Sequence, residues 1–272
     1  MVEYIKQLEI LDNTGRREYV KKILKENGIP FSTQKVKGFF TICENIIVTY
    51  PSVLDKQNKY VLLGAHHNKF NSPGANDNGS GVAVLLEFAK KLYIEKPVGI
   101  NLRIVFFAME DSGGIMAGSR KYVKEYGTKN IDYFYNIDTV GMGNTLLLVP
   151  MNESMAKEDW VRQIFKSADK AELSCQARKS VSLLPGFSDD VPFRFKGLRR
   201  VCTLLVIPDE DIKFKYIFNY PLLVWYWLTG FGTIPKVAKH YHTKDDRSEF
   251  IEEKTLQKVL GTLWEAVISK SL

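Results

Sequence analysis

The chain has 272 residues, of which 45 % are hydrophobic and 25 % are charged. This composition is typical of globular proteins and excludes collagen-like, low-complexity and disordered chains, and the length is enough for one domain with a full core. The formal net charge is +7. Because the basic residues are scattered along the chain, the sequence predicts a generally basic surface and no nucleic-acid partner.

The cysteines and the apolar segments indicate the compartment. Cys43, Cys175 and Cys202 are too few and too widely spaced for a disulfide framework or a cysteine zinc motif, and they fit a reducing compartment. The N-terminus lacks the apolar core of a signal peptide. The most apolar stretch, from Tyr216 to Phe231, has 16 residues, whereas a membrane span needs about 20. We therefore expect a cytoplasmic protein without a membrane span.

Apolar strands and amphipathic helices alternate along most of the chain. Thr14 is expected to cap a first helix that ends before Gly28 and Pro30, and a β-rich region follows this helix. Strands are then predicted at 60–65, 101–109, 131–137, 145–149 and 201–207, and helices at 80–91, 116–125, 160–170 and 252–268. Continuous apolar strands that alternate with helices indicate a mostly parallel sheet that is covered on both faces.

We therefore predict an α/β fold, a three-layer αβα sandwich with a mixed, mostly parallel central sheet. The pattern contains no internal repeat and no linker, so residues 1–272 are expected to form a single domain. Within it, residues 1–30 are interpreted as an N-terminal helical segment and residues 207–240 as an aromatic-rich insertion.

Polar side chains gather where the predicted strands end, at the sheet edge where α/β proteins bind ligands. These side chains belong to three strand ends, the loop after the first of them, and the downstream segment HYHTKDD. In chain order they are His66, His67, Asn68, Asp77, Glu110, Asp111, Asp138, His242 and Asp245.

This set of side chains suits zinc chemistry. Imidazole and carboxylate groups are common zinc ligands, and one carboxylate can bridge two ions. Two histidines and three aspartates are enough to hold a pair of ions about 3.5–4 Å apart. A glutamate beside such a pair can accept a proton from water. The sequence therefore indicates a metal-dependent enzyme.

Several segments together resemble a known family: GAHHN, PGANDNGSGVAVLLEFA, FFAMEDSGGIMAGSRKYV, NIDTVG, FSDDVPF and HYHTKDD. Their order and spacing, from about residue 14 onwards, resemble those of the di-zinc aminopeptidases. That family contains bacterial leucyl-type aminopeptidases, glutamate carboxypeptidases and glutaminyl cyclases. The resemblance implies a zinc-exopeptidase fold in one catalytic domain, and hydrolysis of the N-terminal residue of small peptides by a water that bridges two zinc ions.

The resemblance also implies a role for each side chain of the site. The implied ligands are His66 and Asp138 for one ion, Asp111 and His242 for the other, and Asp77 for both. Glu110 matches the general base, which takes a proton from the bridging water and delivers it to the leaving amine. The peptide bond between Asp77 and Asn78 is implied to be cis. Cobalt or manganese can occupy the same kinds of ligands as zinc.

Three further side chains, Asn68, Asp190 and Asp245, are expected to contact the metal ligands or the substrate. Asn68 stands where the family has an aspartate that holds the first imidazole. Such losses cost about 10–100-fold in metal affinity, so the first zinc site is expected to be weak. Asp111 stands where glutamate is commoner and has a shorter reach. Strand alternation points His67 away from the ligands, so it is a candidate ligand only if that alternation is broken.

Two interpretations stay open for Asp190 and three for the aromatic segment at residues 214–231. Asp190, where the family often has histidine, is expected either to bind a cationic group of the substrate or to cap a helix. The aromatic segment is interpreted as a hydrophobic wall of the substrate pocket, as a contact in a homo-oligomer, or as internal packing of a long loop.

Three functions follow from the sequence, and the first of them is preferred. The first is a cytoplasmic metallo-aminopeptidase with two zinc ions and a peptide substrate. The second is a glutaminyl-cyclase-like transferase with one zinc ion held by Asp77, Asp111 and His242. The third is a catalytically weak pseudoenzyme that binds peptides.

Overall fold

A computed structural model describes residues 1–38, 41–51, 59–110, 115–181, 188–218 and 220–268. The strands in these ranges are β1 (Ser32–Lys37), β2 (Ile42–Tyr50), β3 (Tyr60–His66), β4 (Leu102–Phe107), β5 (Ile131–Ile137), β6 (Thr145–Val149), β7 (Ser174–Ala177) and β8 (Val201–Ile207). The α-helices are α1 (Val2–Ile10), α2 (Asn13–Glu26), α3 (Gly81–Glu95), α4 (Ala117–Tyr126), α5 (Asp159–Lys170), α6 (Val191–Phe195), α7 (Tyr220–Thr229), α8 (Lys236–His240) and α9 (Glu253–Ile268).

The strands form one mixed sheet in the order β1-β2-β4-β3-β5-β8-β6-β7. The central strands β4, β3, β5 and β8 are parallel to one another. Antiparallel pairs flank this centre, because β2 runs against β4 and β6 runs against β8. The α/β fold with a mixed sheet is thereby confirmed, and its parallel part lies where the predicted site residues are.

Helices cover both faces of the sheet. Leu63 of β3 points into a core that includes α1, α2, α3, α5 and α9. Its neighbour Leu62 points to the opposite face, where Tyr122 of α4 and Phe193 of α6 pack against it in a second core. A third cluster lies between the β6 and β8 strands and the helices α7 and α8. This alternation along β3 is what a strand buried on both faces requires.

The start of the chain differs from the prediction. The N-terminal helical segment contains two helices, α1 and α2, where one helix was expected to begin at Thr14, and the cap of α2 is Asp12. The Asp12 side chain accepts a hydrogen bond from the backbone N–H of Gly15 at 2.7 Å. Thr14 lies inside the first helical turn, so it cannot occupy the capping position. Both residue types are good caps, and the sequence alone did not separate them.

The aromatic segment includes α7, a helix that presents apolar side chains to the outside of the chain. Leu223 is buried, whereas Trp225 is 57 % exposed and Leu228 is 80 % exposed. Internal packing therefore does not explain Trp225 and Leu228. Among the residues described, none of the helices combines the length and the apolar character that crossing a membrane would require.

Candidate metal centre

The sheet order brings the predicted site residues together. β3 lies between β4 and β5 and runs parallel to both, so the carboxyl ends of these strands meet at one edge of the sheet. His66 is the last residue of β3, and Asp138 directly follows β5. Glu110 comes three residues after the end of β4. The loop after β3 then returns Asp77 to the same edge.

The Nε2 atom of His66 faces several carboxylates at once. It lies 3.1 Å from Oδ1 of Asp77, 3.1 Å from Oε2 of Glu110 and 3.8 Å from Oδ1 of Asp138. The imidazole and the first two carboxylates are almost fully buried. Burying carboxylates close together is unfavourable unless a cation compensates their charge. This cluster is therefore suited to hold a cation.

Asp77 lies between two imidazoles. Its Oδ1 faces His66, and its Oδ2 lies 3.0 Å from Nε2 of His242. Burial alone would raise the pKa of Asp77, but hydrogen bonds from His242 and His66 outweigh burial and hold the pKa well below its usual range. Asp77 is therefore ionised at neutral pH and offers one oxygen to each side, which is the arrangement of a bridging carboxylate.

The residues present fit a zinc ion. Ligand atoms of His66, Asp77 and Asp138 lie within 4.8 Å of one another. A set of one imidazole nitrogen and two carboxylate oxygens is appropriate to zinc, and it leaves room for a water or a substrate as a further ligand. Asp111, the remaining ligand implied by the family resemblance, lies outside the described residues.

Backbone and side-chain hydrogen bonds orient His66. Its Nδ1 donates to the backbone carbonyl of Asn68 at 3.1 Å, which leaves Nε2 directed at the carboxylates. The Asn68 side chain instead accepts a hydrogen bond from the backbone N–H of Glu110 at 3.0 Å. The backbone carbonyl of Asn68 is therefore an acceptor for His66 that does not depend on the residue type, and the weak first zinc site stays a prediction.

A second network fixes the Asp77 loop against β5 and α3. The Asp77–Asn78 peptide bond is cis, as the family resemblance implies. The Asn78 side chain donates to the carbonyl of Ile137 at 2.8 Å and accepts from the N–H of Gly81 at 3.0 Å. A Cβ atom at position 81 would lie only 2.6 Å from the Ile137 oxygen, so the close approach of these segments requires glycine there.

Aromatic rings flank the His242 imidazole. Tyr241 stacks on it with ring centroids 3.9 Å apart and an angle of 16° between the planes. Phe70, which is 47 % exposed, lies on His242 with centroids 5.3 Å apart. His242 itself has a φ of +58°, an uncommon conformation for a residue other than glycine and one that is concentrated at functional sites.

The other candidates lie away from the carboxylate cluster. His67 donates from Nε2 to the carbonyl of Glu44 on β2 at 3.0 Å, as strand alternation predicts, and burial lowers its pKa to about 4. Asp190 is buried and accepts from Arg194 at 2.7 Å and from Thr203 at 3.2 Å. Asp190 occupies the N-cap position of α6, but its side chain accepts no helix N–H there. The expected contact with a cationic group of the substrate stays a prediction.

Asp245 is exposed, and the adjacent Asp246 is the residue that reaches the site. Asp246 is buried and accepts hydrogen bonds from the backbone N–H groups of Asn76 at 2.7 Å and Asp77 at 3.1 Å. Both aspartates occur in the segment HYHTKDD. The sequence thus indicated the loop but not the contact of Asp246 with the Asp77 segment, and a contact of Asp245 with the substrate stays a prediction.

Sequence reasoning also missed Arg16, a fully buried arginine behind the Asp77 loop. One signal was available. Arg16 precedes the buried residues Val20, Ile23 and Leu24 of α2 by four, seven and eight positions, so it lies on the apolar face of that helix. A charged residue on such a face is expected to have buried partners.

Comparison with known proteins gives the family. The sequence model of peptidase family M28 matches residues 45–267, a range that includes all the candidate site residues. The chain belongs to peptidase family M28. The resemblance that the sequence suggested is thereby confirmed.

Among curated M28-like relatives, aminopeptidase YwaD of Bacillus subtilis is 28 % identical over 263 residues. The alignment covers 90 % of this chain and 50 % of that protein. A probable leucine aminopeptidase of Arthroderma otae is 28 % identical over 174 residues, with 44 % of its length covered. The chain thus spans about half the length of the curated relatives it matches.

Solved structures share the fold. The glutaminyl cyclase of Porphyromonas gingivalis superposes with a TM-score of 0.73 and 21 % identity, and the alignment covers 99 % of this chain and 96 % of that one. The zinc aminopeptidase BSAP of Bacillus subtilis superposes with a TM-score of 0.62 and 24 % identity, over 84 % of this chain and 51 % of that one. The M28 fold therefore accommodates the whole length of this chain.

Proposed function

We propose that this chain is a zinc-dependent aminopeptidase that removes the N-terminal residue of small peptides. The observation that carries the proposal is the position of Asp77, whose two oxygens each face a different histidine, His66 and His242. Glu110 lies beside this centre, as a proton carrier must. Membership of family M28 and the names of the relatives agree with this assignment.

The proposed chemistry divides the site into ligands and one base. His66, Asp77, Asp138 and His242 would hold up to two zinc ions, together with Asp111. Bound zinc supplies Lewis acidity to the scissile carbonyl and to the attacking water. Glu110 accepts a proton from that water and donates it to the leaving amine, so that the peptide bond is exchanged for a carboxylate and an amine.

The aromatic rings beside His242 bear on the substrate. Phe70 is half exposed and Tyr241 is half-buried, and both rings contact the His242 imidazole. An apolar side chain on the substrate would find a surface of matching character at these rings. We therefore propose peptides with a hydrophobic N-terminal residue as the preferred substrates.

The test measures zinc binding first and substrate cleavage second. The protein is saturated with zinc, dialysed and analysed for zinc per chain, beside an Asp77→Ala variant. The zinc-loaded protein is then offered aminoacyl anilides and dipeptides that differ in the N-terminal residue. About two zinc ions per chain are expected for a bridged centre, with most of the metal lost in the variant. Zinc-loaded protein that cleaves none of the substrates would refute the proposal.

A second candidate is the one-zinc glutaminyl cyclase. The superposition on the glutaminyl cyclase of Porphyromonas gingivalis, which covers 99 % of this chain and 96 % of that one, favours it. The single zinc ion would then be held by Asp77, Asp111 and His242. One zinc ion per chain, together with cyclisation of an N-terminal glutamine and no peptide hydrolysis, would select this function.

Location and assembly are further parts of the proposal. The three cysteines are free thiols, which supports a reducing, cytoplasmic compartment. The exposed side chains of α7 support a contact between copies of the chain. Fractionation of cells and sedimentation of the purified protein test these two points.

A further inference from the structure

Arg16 binds both ends of the segment that follows His66. Its guanidinium is fully buried, and its Nε donates to the carbonyl of His67 at 2.7 Å. Its Nη1 donates to the carbonyl of Gly74 at 3.1 Å, with longer contacts to the carbonyls of Leu8 and Pro73. One side chain thus fixes the distance between the start and the end of this loop.

Gly74 allows this contact to form. Its φ is +68°, a backbone conformation that residues other than glycine adopt rarely. A Cβ atom at position 74 would lie 3.1 Å from Nη1 of Arg16 and 2.7 Å from Cβ of Lys69. Glycine at position 74 therefore lets the backbone approach the Arg16 guanidinium closely.

Asp246 binds the next part of the same loop through the opposite backbone group. Its carboxylate accepts the N–H groups of Asn76 and Asp77, and its own carbonyl accepts the N–H of Ala75 at 3.1 Å. Because Asp246 lies four residues after His242, it also ties the His242 loop to Asp77. The buried guanidinium of Arg16 thus receives the carbonyls of the loop, and the buried carboxyl group of Asp246 receives its N–H groups.

Arg16 remains charged although it is buried. Burial lowers the pKa of Arg16 to about 10, and the charges of Asp246 and Asp77 oppose that shift, so Arg16 stays charged at neutral pH. Hydrogen bonds that involve an ionised group are stronger than those between neutral groups, and removing one partner leaves the other buried without compensation. The loop between the two ligands is therefore held on one side by charge-assisted bonds from Arg16 and on the other side by the two N–H groups bound to the Asp246 carboxyl.

We propose that Arg16 and Asp246 are positioning residues, which together hold the loop between His66 and Asp77 in the shape that zinc binding needs. Neither residue donates a ligand atom in this scheme. The inference rests on the proposed function, since it assumes that His66 and Asp77 bind zinc. It adds that helix α2, through Arg16, contributes to the shape of the metal centre although it supplies no ligand.

Three variants and one control test this role. Arg16→Lys keeps the charge but loses the fork of donors, and Asp246→Asn keeps the shape but loses the charge and one acceptor. Arg16→Met removes both charge and donors. Leu24→Ala, also buried on α2 but in the apolar core, is the control for a general loss of stability. All four are purified in metal-free form, and their folding is checked by circular dichroism.

Two measurements are made on the folded proteins. Competition with a chromophoric chelator gives the zinc affinity, and amide hydrogen exchange gives the protection of residues 67–77 without metal. We expect Arg16→Met and Asp246→Asn to bind zinc about 10–100-fold more weakly than the wild type, as is typical when a group that orients a ligand is lost. Arg16→Lys is expected to lie between them and the wild type. The same variants are expected to exchange faster over residues 67–77, whereas Leu24→Ala keeps both properties.

The outcomes separate this inference from the proposed function. If the wild type binds zinc and Arg16→Lys and Asp246→Asn bind it equally well, the positioning role is refuted and the enzyme assignment stands. Unchanged exchange over residues 67–77 in these two variants would also refute it. If the wild type binds no zinc, the proposed function fails, and this inference fails with it. Should Arg16→Met not fold, the two conservative variants carry the test.

Discussion

Oδ2 of Asp77 lies 3.0 Å from Nε2 of His242, and Oδ1 of the same carboxylate lies 3.1 Å from Nε2 of His66. The two histidines are far apart in the chain, one at the end of β3 and the other after α8. Asp77 is therefore the point at which two separate loops meet. A change at this carboxylate is expected to affect both halves of the centre at once.

Asp77→Asn tests this expectation. The amide keeps the size of the side chain but loses the charge and turns one acceptor into a donor, which repels a cation and cannot serve two ions. We expect the variant to retain less than half of the wild-type zinc after dialysis. Measurement of zinc per chain by atomic emission checks this. Asp245→Asn is the control. Asp245 is exposed and is not an implied ligand, so this variant is expected to keep its zinc.

Glu110→Gln separates metal binding from proton transfer. The amide cannot accept the proton of the attacking water, and general acid–base groups contribute about 10²–10⁴-fold to rate. We expect kcat to fall by about that factor, while zinc per chain stays close to the wild-type value because Glu110 is not an implied ligand. Steady-state kinetics on an aminoacyl anilide, with zinc analysis of the same sample, checks both parts. A variant with full activity would remove Glu110 from the mechanism.

The residues that carry chemistry could be predicted from sequence because the strand ends are local signals. Apolar runs predicted β5 and β8 with the observed bounds, and the polar residue after the β5 run, Asp138, pointed to the site. Arg16 and Asp246 could not be assigned in this way, because their partners are distant in the chain. Arg16 binds the carbonyl of a residue 51 positions away, and Asp246 binds an N–H 169 positions away. Which buried charge meets which backbone group is decided only when the layers pack.

Asp190 gives a pH-dependent prediction for stability. Burial raises its pKa above the usual value of 3.8, and Arg194 and Thr203 offset this only in part. Below pH 3.8 the carboxyl is protonated in both the folded and the unfolded chain. As the pH rises, the unfolded chain ionises first, so the folded state loses stability until the pH passes the folded pKa. Asp190→Asn does not titrate and is spared this loss.

The measurement is the melting temperature of Asp190→Asn minus that of the wild type, followed from about pH 4 to pH 7. We expect this difference to become more positive as the pH rises, whatever its sign at the acid end. Arg194→Ala removes the compensating charge, so it is expected to lose more stability than the wild type over the same range. A difference for Asp190→Asn that falls with increasing pH would contradict the raised pKa.

The exposed face of α7 gives the last prediction. Trp225, Leu228 and Phe231 are 57 %, 80 % and 75 % exposed in the single chain, so they contribute little to its folding. We expect Trp225→Ser and Leu228→Ser each to change the free energy of unfolding by no more than about 0.5 kcal/mol, as is usual for surface positions. Denaturant unfolding of dilute protein checks this, and Leu223→Ala, on the buried side of the same helix, is expected to cost about 2–5 kcal/mol.

The two open interpretations of this face then give different results with the same variants. If the face is a contact between copies of the chain, the sedimentation coefficient of the concentrated wild type exceeds that of Trp225→Ser and Leu228→Ser, because burying large apolar side chains drives association. If it is a wall of the substrate pocket, sedimentation is unchanged and KM rises for substrates with a hydrophobic N-terminal residue. A large loss of stability in dilute Trp225→Ser would contradict the exposed position itself, since only a side chain packed within its own chain destabilises the monomer when it is removed.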